Sequence, residues 1–216
     1  MDHNHALIVQ AQTLERHGDI VGALRHYHKA YQANPNDEAT LLGVAQCALA
    51  MGRDTLAFDF FVKLLIQNHQ NPWGYWGRGN LFFHFGHPER GHDDLKRAID
   101  LDNPPTALRI DCAVVYNENA SFDQAIQAIA PMDQTLWDED ARIEWTFAKL
   151  ALGDTRDAIV QAYIAPFLDT VSDDALIEAL VSGYLRLTGS AAAGMRRKNA
   201  LQDEELAWRV EMLWKT

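Results

Sequence analysis

Basic residues are scarce. The 216-residue chain carries 19 Lys and Arg against 30 Asp and Glu, a formal net charge of −11. A surface of that sign makes nucleic acid and anionic membranes poor partners. Cysteine is nearly absent. Cys47 and Cys112 stand far apart, form no C-x-x-C pair, and are expected as buried, reduced thiols. No run of 18 apolar residues occurs, so no membrane-spanning helix is expected. The opening residues, Met1-Asp2-His3-Asn4-His5-Ala6, lack a basic segment ahead of an apolar core, so no secretory signal is expected and the reading is cytoplasmic. The motifs G-x-S-x-G, G-x-x-x-x-G-K-[ST] and H-E-x-x-H are all missing. No catalytic residue, cofactor or metal site is therefore assigned, and the expectation is a protein that is not an enzyme. His84, His87 and His92 cluster, but Gly86 and Pro88 interrupt helical spacing and no cysteine joins them, so they read as turn and cap histidines.

What the chain does have is a period. Gly18, Gly52 and Gly86 recur every 34 residues, and Ala120 takes the next place. Ala23 is echoed by Ala57, Gly91, Ala125, Ala158 and Gly194. Tyr27 is echoed by Phe61, Leu95 and Ile129. A period of about 34 residues marks a helix–turn–helix unit that buries its apolar face only by stacking on its neighbours. Within each unit the apolar residues follow helical spacing: Leu7, Ala11 and Leu14 on one helix, Ala23, Tyr27 and Ala30 on the next.

These residues resemble the tetratricopeptide repeat family. That family places small residues where the paired helices cross, then an aromatic and a small residue along the second helix, then proline; here these are Ala11, Ala23, Tyr27, Ala30 and Pro35. Repeat two offers Ala45, Ala57 and Phe61, and repeat three sets Gly79 and Gly91 at its two crossing positions. The resemblance implies an all-α, right-handed α-solenoid of about five to six repeats with a C-terminal capping helix. The boundaries fall near 4–37, 38–71, 72–105, 106–138, 139–174 and 175–200, with the cap at 202–214 as part of one superhelical domain over 1–216. Pro131 should cut the second helix of repeat four short. The cap's apolar stripe leaves Trp208 and Met212 over, a face that could serve a homodimer.

The resemblance also implies a concave groove lined by first helices. In repeat three the implied groove positions are Trp73, Trp76, Asn80 and Phe83, which share one helical face. Tyr75, Gly79 and Phe82 supply the stripe that faces the paired helix. Leu42, Gln46 and Leu49 in repeat two, and Ile110, Val114 and Asn117 in repeat four, extend the groove. The expected surface is an apolar trough with a few amide groups that could pair with a peptide backbone. Exposed, these aromatics would make a binding hot spot; the competing reading is that neighbouring repeats bury them. Ile8, Gln12, Leu42 and Gln46 stand where some family members carry a cationic clamp for acidic tails, so that mode is disfavoured. The acidic runs Asp93-Asp94 and Asp138-Glu139-Asp140 read as charges at helix starts. The function expected is a non-catalytic scaffold or adaptor holding a protein or peptide in the groove. The alternatives are a secretion-type chaperone that shields an apolar segment, and a non-catalytic subunit of an enzyme complex.

Overall fold

The computed structural model describes residues 3–133 and 137–152 as nine α-helices, with no strand among them. The chain divides into two compact units, Met1–Pro104 and Pro105–Thr216. Repeat five beyond Leu152, repeat six, the capping helix and the Trp208–Met212 face lie outside the described residues.

The first unit is three helical hairpins: α1 (His3–Arg16) with α2 (Ile20–Ala33), α3 (Glu38–Ala50) with α4 (Asp54–Gln67), and α5 (Pro72–His84) with α6 (Pro88–Asp100). Successive hairpins stack, α2 on α3 and α4 on α5, while α1 touches α3 and α3 touches α5. The first helices thus stand side by side. Side-chain caps start the elements. Asp19 accepts from Gly22 N–H at 2.8 Å, Asp37 from Thr40 N–H at 2.8 Å and Asn71 from Gly74 N–H at 3.1 Å. Pro72 and Pro88 open α5 and α6, where a missing N–H costs nothing.

The first helices stop alike. Gly18, Gly52 and Gly86 take φ of +79°, +65° and +76°. Each glycine N–H returns to a carbonyl three residues back, and the next N–H to one five back: Asp19 to Leu14, Arg53 to Ala48, His87 to Phe82. This is a left-handed helix stop, and it explains why the period shows most plainly in glycine.

Within hairpins the crossing residues are small because the backbones approach closely. Ala11, Ala23, Ala45 and Ala57 are fully buried. A Cβ added to Gly79 would lie 3.1 Å from the carbonyl oxygen of Gly91, and one on Gly91 would lie 3.1 Å from that of Gly79. Between hairpins a ring lies on a glycine. The Tyr27 ring covers Gly43 so closely that an added Cβ would fall 2.2 Å from its Cζ, and Phe61 covers Gly77 at 2.1 Å. The Tyr27 hydroxyl donates to Glu15 Oε2 at 2.6 Å, and the Cys47 thiol donates to Glu15 Oε1 at 3.4 Å. Burial first, then the Glu15 charge, pushes the Cys47 thiol up to about 12, so the buried thiol stays protonated at neutral pH.

One expectation is corrected here. Asp93-Asp94 does not start a helix but sits in the middle of α6. Asp94 is buried and accepts two hydrogen bonds from Arg78 of α5, at 2.7 and 2.8 Å. The arginine occupies the buried hairpin face, so the carboxylate serves as its counter-charge rather than as a dipole complement. Arg78, Arg90 and Arg97 also lie against the rings of Tyr75 and Phe82, at 5.4 to 5.9 Å from the ring centroids.

In the second unit, α7 (Thr106–Glu118), α8 (Phe122–Ile129) and α9 (Glu139–Ala151) pack together, and Cys112, Ala113, Ala125 and Ala148 are fully buried. The α7 stop repeats the glycine pattern without glycine: Ala120 takes φ of +56°, and Ser121 N–H reaches Tyr116 O. Helix α8 ends at Ile129, two residues before Pro131. Asp138 caps α9 through Ala141 N–H at 2.9 Å. The buried Asn117 amide donates to the Glu144 backbone carbonyl at 2.9 Å and to its Oε2 at 2.8 Å, tying α7 to α9.

Candidate functional site

The expected groove residues of the first unit lie on α3 and α5, two helices in contact. Trp73, Trp76, Asn80 and Phe83 are all half-buried, as are Leu42 and Gln46. Their surroundings separate them. Trp76 packs on the core, edge-on to Phe61 at 6.3 Å, and its indole nitrogen is buried without a hydrogen-bond partner. Phe83 closes over Gly91 and meets the His92 ring at 5.0 Å. Leu42 packs against the core cluster. Trp73 is the outer member: its ring meets Trp76 at 5.8 Å with 81° between planes, and its indole N–H donates to no acceptor among the described residues. Trp76 and Phe83 thus pack on neighbouring residues of the fold, and Trp73 lies against Trp76.

In the second unit, Ile110 is buried at 6% exposure, while Val114 on the same helix is half-buried. The histidines disperse. His84 faces Asp54 at 3.5 Å, His87 lies against Phe82 and His92 against Phe83.

Sequence reasoning names the amides one by one and misses that they form a series. Gln12, Gln46 and Asn80 fall on α1, α3 and α5, each 34 residues after the last. Gln12 is exposed and the other two are half-buried, and none of the three side chains has a hydrogen-bond partner among the described residues. The same period that shows the glycines carries this signal, at polar positions rather than small or aromatic ones.

The family model for the tetratricopeptide repeat matches residues 14–72. Residues 14–72 thus carry the tetratricopeptide repeat. The solved structures similar to it agree on the fold. A thermophilic tetratricopeptide repeat protein from Thermus thermophilus is 16% identical with a TM-score of 0.63, over 91% of this chain and 98% of that one. PilW, a type IV pilus biogenesis factor, is 17% identical with a TM-score of 0.64, over 95% and 97%. A tetratricopeptide repeat protein from Parabacteroides merdae is 15% identical with a TM-score of 0.60, over 99% and 84%. No curated protein sequence matches the chain. No helix among the described residues is long and apolar enough to cross a membrane.

Proposed function

We propose that this protein is a non-catalytic scaffold that holds a segment of a partner protein against the first helices of its N-terminal unit. The observation that carries the reading is Trp73. A half-buried indole, backed by Trp76 and with an unused N–H, has the form of a binding anchor. Asn80 and Gln46 place free amides on the same helix and the adjoining one. A ligand there gains apolar burial on the ring and hydrogen bonds around it.

Trp73→Ala tests this, because Trp76→Ala would also remove core packing against Phe61. The full-length protein and the Trp73→Ala variant are compared for partner capture, and then for affinity toward the captured partner. The expected loss is about 2 kcal/mol, roughly thirtyfold in Kd, with an unchanged urea midpoint. Equal capture and equal affinity would remove Trp73 from the binding face and end the reading.

A further inference from the structure

The third hairpin carries a ladder of rings and cations. Tyr75 and Phe82 stand seven residues apart on α5, and Arg90 and Arg97 seven apart on α6. The Arg97 guanidinium lies 5.4 Å from the Tyr75 ring centroid, and that of Arg90 lies 5.6 Å from the Phe82 centroid. Arg78 fills the place between, 5.6 Å from Tyr75 and 5.9 Å from Phe82, and its charge is met by buried Asp94. Arg90 and Arg97 are exposed, and no acceptor among the described residues meets either guanidinium. Asp93 stands three residues after Arg90 and four before Arg97, the spacing of an intrahelical ion pair, yet neither pair forms. Lys63, also held on rings, donates instead to the Tyr31 hydroxyl at 3.2 Å.

Ring-held arginines with no carboxylate of their own are suited to one from outside. A guanidinium offers a fork of N–H donors and no acceptor, and the fork matches a carboxylate bidentately. Contact with a ring restricts the long side chain before a ligand arrives, so less rotamer freedom is lost on binding. The charge pattern narrows the occupant further. Seven residues of helical rise set Arg90 and Arg97 ~10.5 Å apart along α6. Asp93, exposed and outside any ion pair, lies between them, and exposed Glu89 precedes them. A nucleic-acid strand, with a phosphate about every 3.4 Å, would set charge against these two carboxylates as well. Separate carboxylates joined by uncharged residues would meet the arginines and spare the acids beside them. We infer that the α5–α6 face docks an acidic protein segment that places two carboxylates roughly 10 Å apart, one on Arg90 and one on Arg97. Tyr75 and Phe82 lie about half a turn round α5 from Trp73, so this docking does not depend on that indole.

The test follows the arginine side-chain Nε–H signals of the isotope-labelled full-length protein by NMR, which reads weak binding at named residues. The probes are end-capped peptides of alanine and glutamine: one carries two glutamates seven residues apart, and two controls carry glutamine or lysine at those places. A single-stranded oligonucleotide of matching length is the fourth probe. At low salt the glutamate peptide should shift the Arg90 and Arg97 signals and bind about fivefold or more tightly than the glutamine peptide, and high salt should shrink the difference. Arg90→Gln and Arg97→Gln should each cut the preference roughly threefold, and the double variant should abolish it. Both residues are exposed, so the fold is kept. Arg25→Gln, at an exposed arginine of α2, should change nothing. Equal binding of the three peptides would overturn the proposal. A glutamate preference that survives the double variant, or falls as far with Arg25→Gln, would overturn it too, as diffuse attraction of charge. Tighter binding of the oligonucleotide that depends on Arg90 and Arg97 would overturn it in favour of nucleic acid.

Discussion

Gly77→Ala should destabilise the protein although alanine is the better helix former. Gly77 lies within α5, where replacing glycine with alanine in an exposed helix gains about 1 kcal/mol. Here the new Cβ would stand 2.1 Å from Phe61 Cζ and 2.3 Å from both Cε atoms. Carbon atoms in contact prefer about 3.5–4.0 Å, so the ring must retreat by roughly 1.5 Å. Phe61 is fully buried and stands perpendicular to the Trp76 ring at 6.3 Å, so its retreat is opposed. Overpacking costs about 1–3 kcal/mol, and a clash with a fully buried ring belongs at the upper end. Subtracting the propensity gain leaves a net loss of about 2 kcal/mol. Urea unfolding followed by circular dichroism reads this directly. The control is Phe61→Leu, which removes the ring. In that background Gly77→Ala should cost little, giving a coupling of about 2 kcal/mol between sites in contact. A Gly77→Ala midpoint equal to or above wild type would refute the reasoning, because the ring would then not be seated on the glycine.

Three more expectations concern other sites. Ala120→Gly should stabilise by about 0.5–1 kcal/mol, because Ala120 sits at φ +56° and relief of left-handed strain exceeds glycine's entropic cost; a lower melting temperature would contradict it. Arg78→Ala should cost about 2 kcal/mol by leaving Asp94 buried without its partner, and the joint change Arg78→Met, Asp94→Leu should recover most of that loss in urea titrations. Burial first, and Asp140 second, pushes Asp111 up to about 6. An unfolded aspartate titrates near ~4, so the native state holds this proton the more tightly; its stabilising share is complete below that value and lost as pH rises through about 6. Asp111→Asn should therefore gain about 1–2 kcal/mol over wild type at neutral pH and none in acid, and a difference that does not vary with pH would exclude the effect.

The repeat architecture is legible in the sequence because its determinants are local. A left-handed stop needs glycine, and a close helix crossing needs a small residue, so Gly18, Gly52, Ala23 and Gly91 announce themselves one residue at a time. Even Ala120 falls on the period, and its backbone takes the glycine conformation. The stop before Pro131 is legible for the same reason. Pairings across helices are not. Asp94 looks like any acidic surface residue until Arg78 is found on the facing helix. Trp73 and Trp76 share a helical face in the sequence, yet only packing against Phe61 shows which one is support. Ile110 matches a groove position by spacing, and its burial depends on neighbours that spacing does not describe.

The ring-on-glycine seat lets such a chain change length by whole repeats. Tyr27 meets Gly43 and Phe61 meets Gly77, an aromatic ring and a glycine at the same offset of 16 positions. Each joint thus has a socket on a first helix and a plug on the second helix before it, and the middle hairpin carries one of each. A second copy of residues 38–71 inserted after the first would set the Phe61 plug of one copy into the Gly43 socket of the next, and the last plug would still find Gly77. The joints are interchangeable parts. Gain or loss of one whole repeat within this unit therefore lengthens or shortens the row of first helices without a new interface having to be invented.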